Sequence, residues 1–130
     1  MHKVFLAFAS VFGALAVALG AFGAHALKRL VSEAAVNIFE TGVRYQFYHV
    51  FAIALVGILY REYSNNWMIW AGNLFITGII LFSGSLYLLT YIKAAEKQGL
   101  EWVGIVTPFG GLAFIAGWVC MLIGLYKTAS

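Results

Sequence analysis

The chain has 130 residues, of which 63% are hydrophobic and only 10% are charged, with a net charge of +3. Soluble domains carry about a quarter charged residues, so this composition excludes an ordinary soluble fold. The eight Lys and Arg residues lie mostly beside apolar runs, as interfacial anchors do, and nucleic-acid binding is not expected. A single cysteine excludes disulfide frameworks, paired-cysteine redox motifs and cysteine-based zinc sites.

Four apolar runs, separated by short polar breaks, account for most of the chain. A helix needs roughly 20 apolar residues to cross a bilayer core about 30 Å thick, and all runs but the second reach that length. The runs cover Val4–Ala24, Tyr45–Tyr60, Trp67–Ile92 and Val103–Tyr126. We therefore predict an all-α membrane protein, a single domain over residues 1–130, with four transmembrane helices near residues 4–24, 43–60, 67–92 and 107–126.

The segment between the first two runs is polar but has helical periodicity. Leu27, Leu30, Ile38 and similar residues recur on one face, while charged and amide side chains take the other. This pattern predicts an amphipathic helix over residues 26–44, lying along the membrane surface. The helix would serve either as a connector packed on the bundle or as a docking surface for a partner or lipid.

Small residues recur at helical spacing on the first and last runs. Helices in lipid associate by close backbone approach at such positions, so these faces are predicted to be helix–helix contacts. The residues are Ala9, Gly13, Ala16, Gly20 and Gly23 on the first run, and Gly110, Ala113, Gly117, Cys120 and Gly124 on the last. Cys120 is accordingly interpreted as a packing residue and not as a reactive thiol.

The last helix has a start signal at Thr107–Pro108. Threonine can cap a helix N-terminus, and proline is favoured in the first turn because its missing N–H would be unpaired there anyway. The segment Trp102–Val106 would then be an interfacial entry to the helix. The alternative is one longer helix with a kink at Pro108.

Polar side chains inside membrane segments are costly, and here threading of the spans brings most of them to one leaflet. The candidate cluster consists of His25, Gln46, His49, Ser83, Ser85 and Thr107, whereas Asn73 lies in the other half of the membrane. The cluster either locks the bundle by internal hydrogen bonds or lines a shallow ligand pocket at the headgroup region. A haem bound between His25 and His49 is a further alternative, although no cofactor or metal is expected. No catalytic constellation is visible, so an enzyme is not predicted.

Several sequence strings in this order resemble the YgdD/YwdK-like family of small bacterial membrane proteins, a domain-of-unknown-function family with mitochondrial relatives. The strings are Leu19–His25, Tyr45–His49, Leu81–Tyr87, Thr107–Gly111 and Gly117–Trp118. The resemblance covers nearly the whole chain and implies four spans in an inner membrane and no established activity. The family strings contain the six residues that threading collects.

Two classes of function remain open. One is a structural or accessory protein that associates with a larger membrane assembly or with itself; the other binds or transports a lipid, quinone or solute near one membrane face. We expect a multi-pass protein of the inner (plasma) membrane with both termini on the same side. A count of basic residues favours termini outside, five against three, whereas the family resemblance favours termini inside, so the orientation stays open.

Overall fold

The structure, a computed structural model, describes residues 1–96, 99 and 101–127. Four helices long and apolar enough to cross a membrane make up the fold, and the described residues contain no strand. The helices are α1 (Lys3–Ala24), α2 (Glu33–Leu59), α3 (Asn66–Ala94) and α4 (Val106–Lys127). The predicted all-α bundle with four membrane-spanning helices is therefore confirmed.

The predicted separate surface helix over residues 26–44 is wrong. Leu27–Arg29 form a single 3₁₀ turn, and the Ser32 hydroxyl then caps a helix by accepting a hydrogen bond from the Ala35 N–H. That helix, α2, continues for 27 residues to Leu59, about 40 Å. No proline interrupts it, so the polar residues after Ser32 are the first turns of the second span itself. The second span is consequently long, and not short as its apolar run suggested.

Within each sequential helix pair, glycines meet larger side chains at seven-residue intervals. Gly13 and Gly20 of α1 face Val50 and Val43 of α2. In the second pair, the contacts are Gly110 with Phe82, Gly117 with Phe75 and Gly124 with Met68. This repeat is typical of left-handed antiparallel packing, and it confirms that the small-residue faces are helix contacts. Cys120 is partly buried and packs against the core, in line with the role predicted for it.

One turn of α3, Ile79–Ser83, is a π-helix between α-helical segments. It contacts both α2 and α4. At this level the backbones of α3 and α4 come very close. A Cβ atom added to Gly110 would lie 2.7 Å from the Phe82 Cα atom and closer still to the Phe82 nitrogen. Below this turn the core is filled by Ile53, Val56, Met68 and Phe75.

The last span begins slightly earlier than predicted. A 3₁₀ segment, Glu101–Ile105, leads into α4, whose first residue is Val106. Pro108 therefore sits in the first turn, where its missing N–H does no harm. Thr107 is already inside the helix, so its predicted role as the capping residue is wrong; its hydroxyl bonds to Ser85 instead. Of the two predicted alternatives, the structure has the separate entry segment, which is the 3₁₀ segment Glu101–Ile105, and not one long α-helix kinked at Pro108.

Candidate functional site

His49 is buried in the interior of α2, with only 5% of its surface exposed. Its Nδ1 atom lies 2.8 Å from the carbonyl oxygen of Tyr45, and Trp118 Nε1 lies 3.1 Å from its Nε2 atom. An indole N–H can only donate, so Nε2 accepts and the network assigns the proton to Nδ1. The ring also stacks on Phe114, with centroids 3.5 Å apart. Both nitrogens are thus occupied, and the imidazole is a neutral link between α2 and α4.

Gln46 joins three helices through its carboxamide. Its Nε2 atom donates to the carbonyl oxygen of Phe12 on α1, at 2.8 Å. Its Oε1 atom accepts a hydrogen bond of 2.6 Å from the Tyr87 hydroxyl on α3. Because Gln46 is only 3% exposed, both ends of the amide are satisfied inside the protein.

The two serines that flank the end of the π-helical turn form separate links. Ser83 is fully buried and donates to the carbonyl oxygen of Gly42, at 2.6 Å. The absence of a side chain at Gly42 permits this approach, since a Cβ atom there would meet the Tyr87 ring at 2.9 Å. Ser85 bonds to the half-buried Thr107 and so joins α3 to α4.

His25 is not part of this cluster. It follows the last residue of α1 and is exposed, and among the described residues its side chain bonds to the Ala21 carbonyl oxygen one turn back and to no other helix. The contacts of Gly13 with Val50 and Gly20 with Val43 place His49 roughly 16 Å from the level of His25 along the bundle. The expectation that the two histidines share one membrane depth is wrong, because α2 begins at Glu33 and not near residue 43. A haem between them is incompatible with this separation and with the occupied nitrogens of His49.

The structure thus brings together five of the six predicted residues, but as three adjoining sets of bonds. In the part of the chain that is described, no buried side-chain nitrogen or oxygen atom lacks a partner. The same part contains no group of three or more His, Cys, Asp or Glu side chains able to hold a metal. The cluster offers no free polar group and no base beside a nucleophile.

The six residues predicted from the sequence leave out two members of this network, Tyr87 and Trp118. Tyr87 lies one turn after Ser83, and this spacing places both side chains on the same face of α3. Trp118 belongs to one of the family strings, but nothing in the sequence shows which residue its indole N–H binds. Only the packing of α4 against α2 and α3 reveals that partner.

A separate apolar groove of about 430 Å³ opens at the membrane face where α1 ends and α2 begins. Phe22, Leu27 and Phe39 form one wall, and Tyr87, Thr90 and Tyr91 of α3 form the other. Lys28, Arg29 and Lys93 are chain neighbours of lining residues. Of the six predicted site residues, none lines the groove.

The fold and its internally bonded polar core define a small multi-pass membrane protein of four helices. The chain belongs to the family described as "Protein of unknown function (DUF423)", whose family model matches residues 19–111. The resemblance inferred from the sequence strings is thereby confirmed.

Relatives of similar length support the same membership. The UPF0382 membrane protein SAB0533 of Staphylococcus aureus is 37% identical over 127 residues, which cover 98% of both chains. The UPF0382 inner membrane protein YgdD of Escherichia coli K12 is 37% identical over 125 residues, covering 96% of this chain and 91% of that protein. No solved structure matches the chain. Neither the family description nor these names states an activity.

Proposed function

We propose that this chain is a non-catalytic structural or accessory protein of the inner (plasma) membrane that associates with a larger membrane assembly. The observation that carries the proposal is the complete internal satisfaction of the polar cluster. Gln46, His49 and Ser83 each bond to another helix of the same chain. Groups used in this way rigidify a bundle and leave nothing to bind or transform a substrate.

The membrane and the sidedness are part of the proposal. The name of the E. coli relative supports the inner membrane. Both ends at one face are supported by two contacts: His2 donates from its backbone N–H to the Gly57 carbonyl oxygen at 2.8 Å, and the Asn65 side chain donates to the Gly124 carbonyl oxygen at 2.9 Å. A reporter fused to either end should therefore give the same compartment signal, and opposite signals would contradict the sidedness.

Association with an assembly is tested in native membranes. The full chain, tagged at its own locus, is cross-linked in the membrane and identified with its neighbours by mass spectrometry, beside an unrelated four-span protein expressed at the same level. We expect specific neighbours and a native-gel complex larger than any homo-oligomer of a 14.2 kDa chain. Migration as a monomer or as a pure homo-oligomer, with no enriched neighbour, would contradict the proposal.

The apolar groove favours a second candidate function, the binding of a lipid chain near one membrane face. Its walls are largely apolar, and the basic residues Arg29 and Lys93 are chain neighbours of the lining residues Leu30 and Ala94, so they are available to an anionic headgroup. Ala94→Trp should fill the groove and reduce retention of phosphatidylglycerol in native mass spectrometry several-fold. Leu122→Trp, on the lipid-facing side of α4, is the matched control. Equal retention in both variants would exclude this candidate.

A further inference from the structure

One face of α3 combines lipid exposure with polar side chains. The exposed residues Trp70, Asn73, Thr77 and Ile80 form a continuous stripe along the helix. The opposite face, with Ala71 and Phe75 among others, is buried against the rest of the bundle. Asn73 and Thr77 are therefore turned away from the buried face of the bundle, while Ile80 borders a groove that Trp102 and Val106 also line.

Asn73 and Thr77 have no partner on this stripe. Neither side chain makes a hydrogen bond to any residue that the structure describes, whereas the other helical Ser and Thr side chains in that part of the chain all do. The bonded ones are Ser10, Thr41, Ser83, Ser85, Thr90 and Thr107. Thr77 thus stands out among the described helical Ser and Thr residues, and Asn73 lies one turn from it with no hydrogen-bond partner for its own side chain.

The depth of the pair makes the missing partner costly. Trp70 is an exposed tryptophan one turn inside α3, of the kind that marks the membrane interface. Asn73 lies about 4.5 Å deeper than Trp70 and Thr77 about 10 Å deeper, at 1.5 Å per residue. Within the hydrocarbon region, an amide or hydroxyl group without a partner is unfavourable.

Gly84 follows the π-helical turn, is half-buried and lines the same groove as Ile80 and Trp102, at the edge of the stripe. A Cβ atom at Gly84 would have open space around it, with no atom within 4 Å, so packing within the chain does not require glycine there. A glycine inside a helix otherwise weakens it. At the edge of the stripe, the missing side chain instead leaves room for the backbone of another helix to come close.

We propose that the α3 stripe, defined as Asn73, Thr77, Ile80 and Gly84, is the contact surface for a second copy of this chain. A carboxamide both donates and accepts, so two Asn73 side chains related by a two-fold axis satisfy each other. Two copies inserted in the same orientation have their Asn73 side chains at the same depth in the membrane. The spacing of 4 and 3 residues from Asn73 to Thr77 and Ile80 suits a left-handed helix crossing.

The self-contact goes beyond the assembly proposal and does not depend on it, since the dimer can exist with or without further partners. It is tested by disulfide cross-linking of the full chain in vesicles of phosphatidylethanolamine and phosphatidylglycerol. In a Cys120→Ala background, Thr77→Cys places a thiol within the stripe. Leu122→Cys places one on the lipid-facing side of α4 as the control. We expect a covalent dimer with Thr77→Cys that persists on dilution with lipid, and only the random background with Leu122→Cys.

Asn73→Leu tests the hydrogen bond itself. It should weaken dimerisation about 3- to 20-fold, the range of interhelical polar bonds in membranes, while Asn73→Gln should retain most of it. Because Asn73 faces lipid, the leucine variant should melt at least as high as the parent, so misfolding does not confuse the result. Equal cross-linking at the two thiol positions would overturn the proposal. So would unchanged dimerisation in Asn73→Leu, or exclusive cross-linking of Thr77→Cys to a different protein in native membranes.

Discussion

Replacement of His49 by alanine separates a structural role of the polar core from a ligand-binding role. The change removes the acceptor for the Trp118 indole N–H and the ring that stacks on Phe114 at 3.5 Å. An indole N–H that loses its partner in a water-free environment costs about 1–3 kcal/mol. The cavity left by a large core side chain adds to this, and we expect a total loss of about 3–5 kcal/mol.

His49→Phe divides that loss into its two parts. Phenylalanine preserves the stack on Phe114 but provides no acceptor, so it should cost only the hydrogen-bond share, about 1–3 kcal/mol. Trp118→Phe combined with each variant completes a double-mutant cycle, and we expect a coupling of about 0.5–2 kcal/mol between residues 49 and 118. The measurement is unfolding of the full chain in mixed micelles with increasing SDS, followed by circular dichroism.

The reasoning would be refuted by His49→Ala unfolding at the same SDS fraction as the parent. If the same variant also lost a molecule that co-purifies with the parent, the cluster would be a binding site and not a lock. A zero coupling in the cycle would show separately that the Trp118 bond does not contribute to stability.

Two further predictions use neighbouring residues as controls. Gly110→Ala should destabilise the protein by at least about 1–3 kcal/mol, because the added Cβ atom collides with the Phe82 backbone. In Gly111→Ala the added Cβ atom would lie 3.9 Å from the Phe82 ring, an ordinary contact. Thermal melting in detergent should therefore give this control the melting temperature of the parent. Val36→Lys should cost at least about 2 kcal/mol, since it puts a charge at a position only 5% exposed, whereas Asn37→Lys, on the exposed face, should melt like the parent. Equal effects within either pair would contradict the packing described.

The apolar runs were sufficient to predict the number of spans, because bilayer thickness sets a length that only a long apolar helix meets. They were insufficient to predict where α2 begins. Ser32 and Glu33 form a helix-start signal, yet the polar residues that follow suggested a helix on the membrane surface. A helix of 27 residues exceeds the hydrocarbon thickness, so its first turns can be polar and still belong to the span.

The wrong start predicted for α2 also made the predicted position of His49 wrong. With the second span begun near residue 43, His49 seemed to lie at the membrane face beside His25; with the helix begun at Glu33, it lies deep in the bundle. The partners of the polar groups depend on side-chain packing between helices distant in sequence, such as the 69 residues that separate His49 from Trp118. No local periodicity contains that information. The π-helical turn is equally inaccessible: it coincides with the close approach of Gly110 to the Phe82 backbone, a contact between helices that local periodicity does not reveal.

The distribution of glycine contacts and hydrogen bonds has a consequence for biosynthesis. The glycines at seven-residue intervals hold α1 to α2 and α3 to α4, so two antiparallel hairpins can each form soon after leaving the insertion machinery. The bonds of Tyr87 to Gln46, Ser83 to Gly42 and Trp118 to His49 instead run from the second hairpin to the first. Apolar surfaces in lipid gain little by choosing protein over acyl chains. The three directional bonds, together with the close contacts of Gly42 with Tyr87 and of Gly72 with Phe5, therefore set the register in which the hairpins dock. Loss of the bonds should loosen this docking before any helix content is lost, a defect visible to quality-control proteases.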